Sequence, residues 1–203
     1  MTAMRALPPD PVAPWAEIVP GVGPMTVADL LDWPDDGYRY EVVEGVLVRM
    51  AGTRPKAGRI TRRLYDGLNP FVQAHGLGTV TFPDEVYDFE HTGQPNTGLL
   101  PDLGFYHAFR EPLVQDDQPI PFAPELAVEV ASPTRDHDDM DKKARRYLRG
   151  GSSVVWVVWP DECTVDVWRI DGAVPSVTLT RADQLDGGSV IPGFTYPVVD
   201  LFV

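Results

Sequence analysis

Asp102 stands in Leu99-Leu100-Pro101-Asp102-Leu103-Gly104-Phe105-Tyr106 and Glu129 in Leu126-Ala127-Val128-Glu129-Val130-Ala131, each a lone carboxylate in a stretch that otherwise reads as buried strand. An unpaired carboxylate among apolar side chains costs several kcal/mol, so each calls for a partner, a proton or a metal ion. Downstream, Lys143 falls on the inward face of a helix. Two carboxylates and an ammonium converging from two strands and a helix are the parts of a divalent-metal hydrolytic site.

The helix spacing separates Lys143 from its neighbours. Met140, Ala144, Tyr147 and Leu148 trace an apolar stripe that includes Lys143, whereas Lys142, Arg145, Arg146 and Arg149 point elsewhere. Such a lysine either packs its methylenes inward and snorkels to water, or sets its ammonium beside the carboxylates to orient an attacking water and offset developing charge. Asp136, Asp138, Asp139 and Asp141 suit the positive end of the helix dipole and are assigned to capping. On the Glu129 strand, Leu126, Val128 and Val130 share one face, while Ala127, Glu129 and Ala131 share the other. The small neighbours leave room for a carboxylate and a hydrated ion; a buried Glu–Arg pair is the alternative. Asp102, following Pro101, also reads as a strand-end turn residue.

The elements that must position these groups are legible in outline. Six prolines between Pro8 and Pro24 predict an extended, flexible arm over residues 1–24, ahead of a domain over 25–203. Thr26 with Asp29 predicts a capped short helix, and Tyr40 to Met50 a hairpin turning at Glu44-Gly45. Ile60, Leu64, Leu68, Phe71 and Val72 recur at helical spacing up to Gly76, with a kink expected at Pro70. Strand-like runs follow over residues 79–89, 99–106, 126–131, 154–159, 164–170 and 177–179, with a helix over 138–149 closed by Gly150-Gly151. This pattern predicts an α/β fold, a mixed β-sheet flanked by helices.

The 203 residues, 43% of them hydrophobic, suit one soluble domain with a sizeable core. No run approaches a membrane span, the first residues lack a signal-peptide pattern, and the lone Cys163 fits a reducing compartment, so a cytoplasmic protein without membrane contact is expected. A net charge of −13 argues against a surface that coats nucleic acid generally. The basic residues are nonetheless clustered, as Arg54, Lys56, Arg59, Arg62 and Arg63 and as Lys142, Lys143, Arg145, Arg146 and Arg149. They form either two solvated helix faces or a basic rim around an acidic, metal-holding centre. Trp156, Trp159 and Trp168 fall in strands and are assigned to the core or sheet surface, and the four histidines show no metal-ligand spacing.

The order Tyr40-Glu41-Val42-Val43-Glu44-Gly45, Pro101-Asp102, Glu129-Val130-Ala131-Ser132-Pro133, Lys143 with Tyr147, Val155-Trp156-Val157-Val158 and Pro192-Gly193-Phe194 resembles the Uma2 family of restriction-type endonucleases, in the PD-(D/E)XK nuclease superfamily. The resemblance spans about residues 25–203. It implies a restriction-endonuclease-like core that hydrolyses phosphodiester bonds of nucleic acid, DNA in the first instance, with Mg2+ or Mn2+ in its place. Carried over, Asp102 and Glu129 would be metal ligands with the Val130 carbonyl as a third, a hard oxygen set of the kind Mg2+ prefers. Lys143 would supply the catalytic ammonium from the helix, since Ala131 occupies the position two residues after Glu129 where the superfamily usually carries its lysine. Glu41 would be either an accessory acid or a structural ion-pair partner. Two departures stand out: Ala57 fills a place where a His is frequent, and Trp159 one where Asp is common. A homodimer is compatible with cutting both strands of a duplex. The alternative of a different class is a catalytically inactive nuclease-like scaffold serving as a protein-interaction or regulatory module.

Overall fold

Capping chemistry and alternating apolar residues set the element boundaries. The computed structural model describes residues 12–133, 135–169 and 174–203. A short strand β1 (Glu17–Ile18) precedes helix α1 (Val27–Leu31). Thr26 and Asp29 close the expected capping box on α1. The hairpin of β2 (Tyr40–Val43) and β3 (Val46–Arg49) turns through Glu44 and Gly45, both at positive φ (51° and 80°), the conformation a two-residue primed turn requires.

Helix α2 (Pro55–Ala74) is one continuous 20-residue element that includes Pro70. The predicted interruption does not occur: Pro70 is exposed, so the carbonyl it leaves without a helical donor can turn to water. β4 (Gly78–Thr81), β5 (Tyr87–Asp88), β6 (Gly98–Leu99), β7 (Leu103–His107) and β8 (Leu126–Val130) follow. Helix α3 (His137–Arg149) starts at the Asp136 cap, whose side chain accepts from the Asp139 amide. The chain closes with β9 (Val154–Trp159), β10 (Thr164–Arg169), β11 (Val177–Leu179), β12 (Gln184–Asp186) and β13 (Thr195–Pro197). Ile170, the last residue of one predicted strand, lies outside the described residues.

Two of the predicted strands are each divided between two sheets. A six-stranded mixed sheet has the order β11-β10-β9-β8-β7-β4, with β8 and β9 parallel, and a five-stranded antiparallel sheet has the order β1-β3-β2-β6-β5. The 79–89 run becomes β4 in the first and β5 in the second, broken at Asp84 with φ 86°. The 99–106 run becomes β6 and β7, and the chain crosses between sheets at Leu100-Pro101-Asp102. Asp102 therefore sits at a crossover between sheets.

The two faces of the larger sheet carry different layers. Leu126, Val128, Val130, Val154, Trp156 and Val158 pack with Ile60, Leu64, Leu68 and Val72 of α2. Ala127, Ala131, Val155, Val157 and Trp159 pack with Met140, Ala144 and Tyr147 of α3 and with Val43, Val46 and Val48 of the smaller sheet. The described part of the proline-rich segment, residues 12–24, is anchored rather than free: β1 pairs with β3, and Ala13 and Trp15 are buried. Trp156 and Trp168 are fully buried, as expected of core positions.

Candidate active site

The alternation of β8 sends Glu129 toward α3, among Ala127 and Ala131, where the small side chains leave space. There Glu129 Oε1 accepts from Tyr147 Oη at 2.7 Å and meets Lys143 Nζ at 2.9 Å. Lys143 is 1% exposed and does not snorkel; its Nζ also lies 3.1 Å from Glu41 Oε1. Glu41, fully buried on β2, accepts from the Leu100 amide at 2.9 Å through Oε1 and from Trp15 Nε1 at 2.8 Å through Oε2. Asp102 accepts from the Val130 amide at 2.8 Å through Oδ2, which ties the crossover to β8. The N–H and C=O of one strand residue leave on the same edge, so the Val130 carbonyl faces the Asp102 side. The four acidic and basic residues singled out in the sequence thus converge.

A cavity of about 100 Å3 opens on this cluster and is lined by Asp102, Glu129, Val130 and Lys143. Its cationic lining comes from Arg39, Arg54, Lys56 and Arg135. Of the first basic cluster only the opening turn of α2 reaches it: Arg62 pairs with Asp66, and Arg63 donates to the Leu201 carbonyl. In the second cluster Arg146, expected on the polar side, is 6% exposed and pairs with Glu44 at 2.8 Å. Its position three residues after Lys143 places it on the same flank of α3.

Arg39 and Arg135 are cavity residues that spacing arguments did not pick out. Each adjoins a recognised motif, Arg39 before Tyr40 and Arg135 after Ser132-Pro133, and that adjacency was the available signal. Arg39 pairs with Asp84, and its nearest approach to Asp102 is 3.9 Å, beyond hydrogen-bond reach. Trp15 also lines the cavity, from the segment expected to be loose.

Burial dominates the electrostatics. It pushes the Glu129 carboxyl up to about 7, with Lys143 pulling it down and Asp102 and Glu41 pushing it further up. Burial likewise raises Asp102, opposed by the Val130 amide and the Arg39 charge. Burial works against the Lys143 ammonium, yet Glu129 and Glu41 outweigh it and hold its pKa above the ordinary lysine value. The Tyr147 hydroxyl is driven well up by burial and by the same carboxylates, so it stays a donor. Three carboxylates against one buried ammonium leave the centre short of positive charge.

That shortfall suits a cation. Among the described residues, neither Glu129 Oε2 nor Asp102 Oδ1 takes a hydrogen bond, and no group of three His, Cys, Asp or Glu side chains could hold a metal ion. The available donors are two carboxylates and a backbone carbonyl, which fits a hard ion that keeps several waters. Ala57, at the frequent His position, lines the cavity without offering a ligand. Trp159, at the common Asp position, instead donates from Nε1 to Asp166 at 2.8 Å under the stacked ring of His137.

Comparison with known proteins agrees with this arrangement. A solved structure described as a "putative nuclease belonging to DUF820" from Anabaena variabilis superposes with a TM-score of 0.72 at 20% identity, over 88% of this chain and 98% of that one. At that identity the likeness establishes the fold, a mixed α/β nuclease fold. No curated protein sequence matches. Among the described residues no helix is long and apolar enough to cross a membrane. The family model named Uma2, described as "Putative restriction endonuclease", matches residues 27–199, and the chain belongs to that family.

Proposed function

We propose that the chain is a Mg2+-dependent endonuclease that hydrolyses phosphodiester bonds of DNA. The observation that carries this reading is the convergence of Asp102, Glu129 and Lys143 on one cavity whose remaining charged lining is basic. Asp102, Glu129 and the Val130 carbonyl would hold the metal. When bound, it would lower the pKa of an attacking water and neutralise charge on the phosphate.

The chain's own residues supply the rest. Lys143 stays protonated in its carboxylate setting and so acts as a fixed positive charge rather than a base; it orients Glu129 and offsets charge developing on the phosphate. Tyr147 fixes the Glu129 carboxylate from the other side. Arg39, Arg54, Lys56 and Arg135 would neutralise flanking phosphates locally, which a chain of net charge −13 needs at its site. Cutting both strands of a duplex would engage two copies.

Calorimetric titration of Mg2+ and Mn2+ into the wild type and Asp102→Asn tests the metal assignment. Binding in the wild type that is lost in a folded Asp102→Asn supports it. Absence of binding in the wild type would refute it and favour the interaction-scaffold alternative.

A further inference from the structure

The matched family region begins at residue 27, yet one of the closest neighbours of the charged centre lies before it. Trp15 is 3% exposed, and its Nε1 donates to Glu41 Oε2 in a buried 2.8 Å hydrogen bond. Glu41 Oε1 is occupied by the Leu100 amide and by Lys143. With both oxygens engaged, Glu41 is placed as the anchor of Lys143 rather than as a free acid. The indole face also lies near two cations, with Lys143 Nζ 5.9 Å and Arg146 Cζ 5.8 Å from the ring centroid, close enough for cation–π attraction.

The segment bearing Trp15 is fastened by contacts that do not involve its own side chains. Arg135 Nη1, from a cavity-lining residue, donates to the Pro14 carbonyl at 3.0 Å. Arg146 Nη2 donates to the Val12 carbonyl at 3.2 Å, and Ala16 closes a turn onto the Ala13 carbonyl at 3.0 Å. Immediately afterwards β1 joins the edge of the smaller sheet through Glu17 and Ile18. Two arginines and a strand pairing thus hold a backbone of Pro and small residues, which has little packing surface of its own, so that one indole reaches the centre.

We propose that residues 12–18 are part of the catalytic site and that Trp15 is a positioning residue: its indole N–H fixes Glu41, which holds Lys143 against Glu129. The effect on rate rests on the nuclease reading above; the contact itself does not. Replacing the donor leaves a buried Glu41 oxygen unpaired, which loosens Lys143 without removing a metal ligand or a cavity-lining cation. A Trp that only filled space would lower the folded fraction and leave the turnover of folded enzyme unchanged.

Two readouts separate these roles. In Mg2+-dependent nicking of plasmid DNA, Trp15→Phe is expected to lower kcat about tenfold or more, the effect of one hydrogen bond to a charged group, with KM within about twofold. In a 15N–1H spectrum the indole signal lost in Trp15→Phe identifies Trp15, and it is expected to move in Glu41→Gln and in Lys143→Met. Unchanged kcat in Trp15→Phe overturns the proposal, as does an indole signal unmoved in folded Glu41→Gln. Should the wild type fail to nick DNA, the nuclease reading fails on its own. The indole shifts then decide the proposal: movement in both variants sustains the Trp15–Glu41–Lys143 linkage, and its absence overturns it.

Discussion

Replacing Lys143 by Met keeps the side chain's length and apolar body and removes the ammonium that lies 2.9 Å from Glu129 and 3.1 Å from Glu41. Both carboxylates are then buried without their cation. Breaking a buried pair by removing one partner costs about 3–5 kcal/mol, a large part of the roughly 5–15 kcal/mol that holds a domain of this kind folded. The cost depends on pH, because Glu129 already titrates near 7 with Lys143 in place and is pushed higher without it. At pH 8 the full loss is expected. At pH 5.5 Glu129 is protonated in both proteins, and what remains is Glu41 without its charged donor, about 2 kcal/mol. Urea denaturation followed by circular dichroism at both pH values measures the difference. The double variant Glu129→Gln/Lys143→Met is expected to recover part of the loss at pH 8, since a neutral amide leaves only one uncompensated carboxylate. A Lys143→Met loss below about 1 kcal/mol at pH 8, or one equal at the two pH values, would refute the assignment of Lys143 as the buried counter-charge.

Two further outcomes follow from the same electrostatics. Glu129 has a folded-state pKa of about 7, above its ordinary 4.5, so the folded protein binds the extra proton and metal-free stability falls as pH rises from about 4.5 through 7. The fall is about 3 kcal/mol, and Glu129→Gln is expected to flatten it; an equally steep profile in that variant would contradict the assignment. Arg54 lies on the cavity wall at the start of α2, so Arg54→Gln is expected to weaken DNA binding and reduce the magnitude of the salt slope by about 0.9, measured by fluorescence anisotropy across a salt series.

Sequence alone carried the chemistry of this site further than its architecture. Glu129 and Lys143 were legible because each breaks an apolar pattern of known period, and the strand and helix containing them form where that period predicts. The division of residues 99–106 between two sheets was not legible, since Leu99 through Tyr106 reads as one continuous apolar run. The break depends on Pro101, which cannot donate to a ladder, and on the Val130 amide that captures Asp102 from 28 residues away. The expected kink at Pro70 followed from its local chemistry, but solvent on the exposed side of α2 can satisfy the freed carbonyl. Arg39, Arg135 and Trp15 escaped because their roles arise from tertiary approach. The proline content around Trp15 argued for a loose arm, whereas a sheet edge and two arginines supply its partners.

The rate of plasmid nicking as a function of Mg2+ concentration, at low ionic strength and in parallel for wild type and Glu129→Gln, bears most directly on the central claim. Saturable Mg2+-dependent nicking by the wild type, abolished by chelation and lost in folded Glu129→Gln, is the predicted result. Nicking that persists in Glu129→Gln, or a wild type that binds Mg2+ and DNA yet leaves both strands intact, would contradict it.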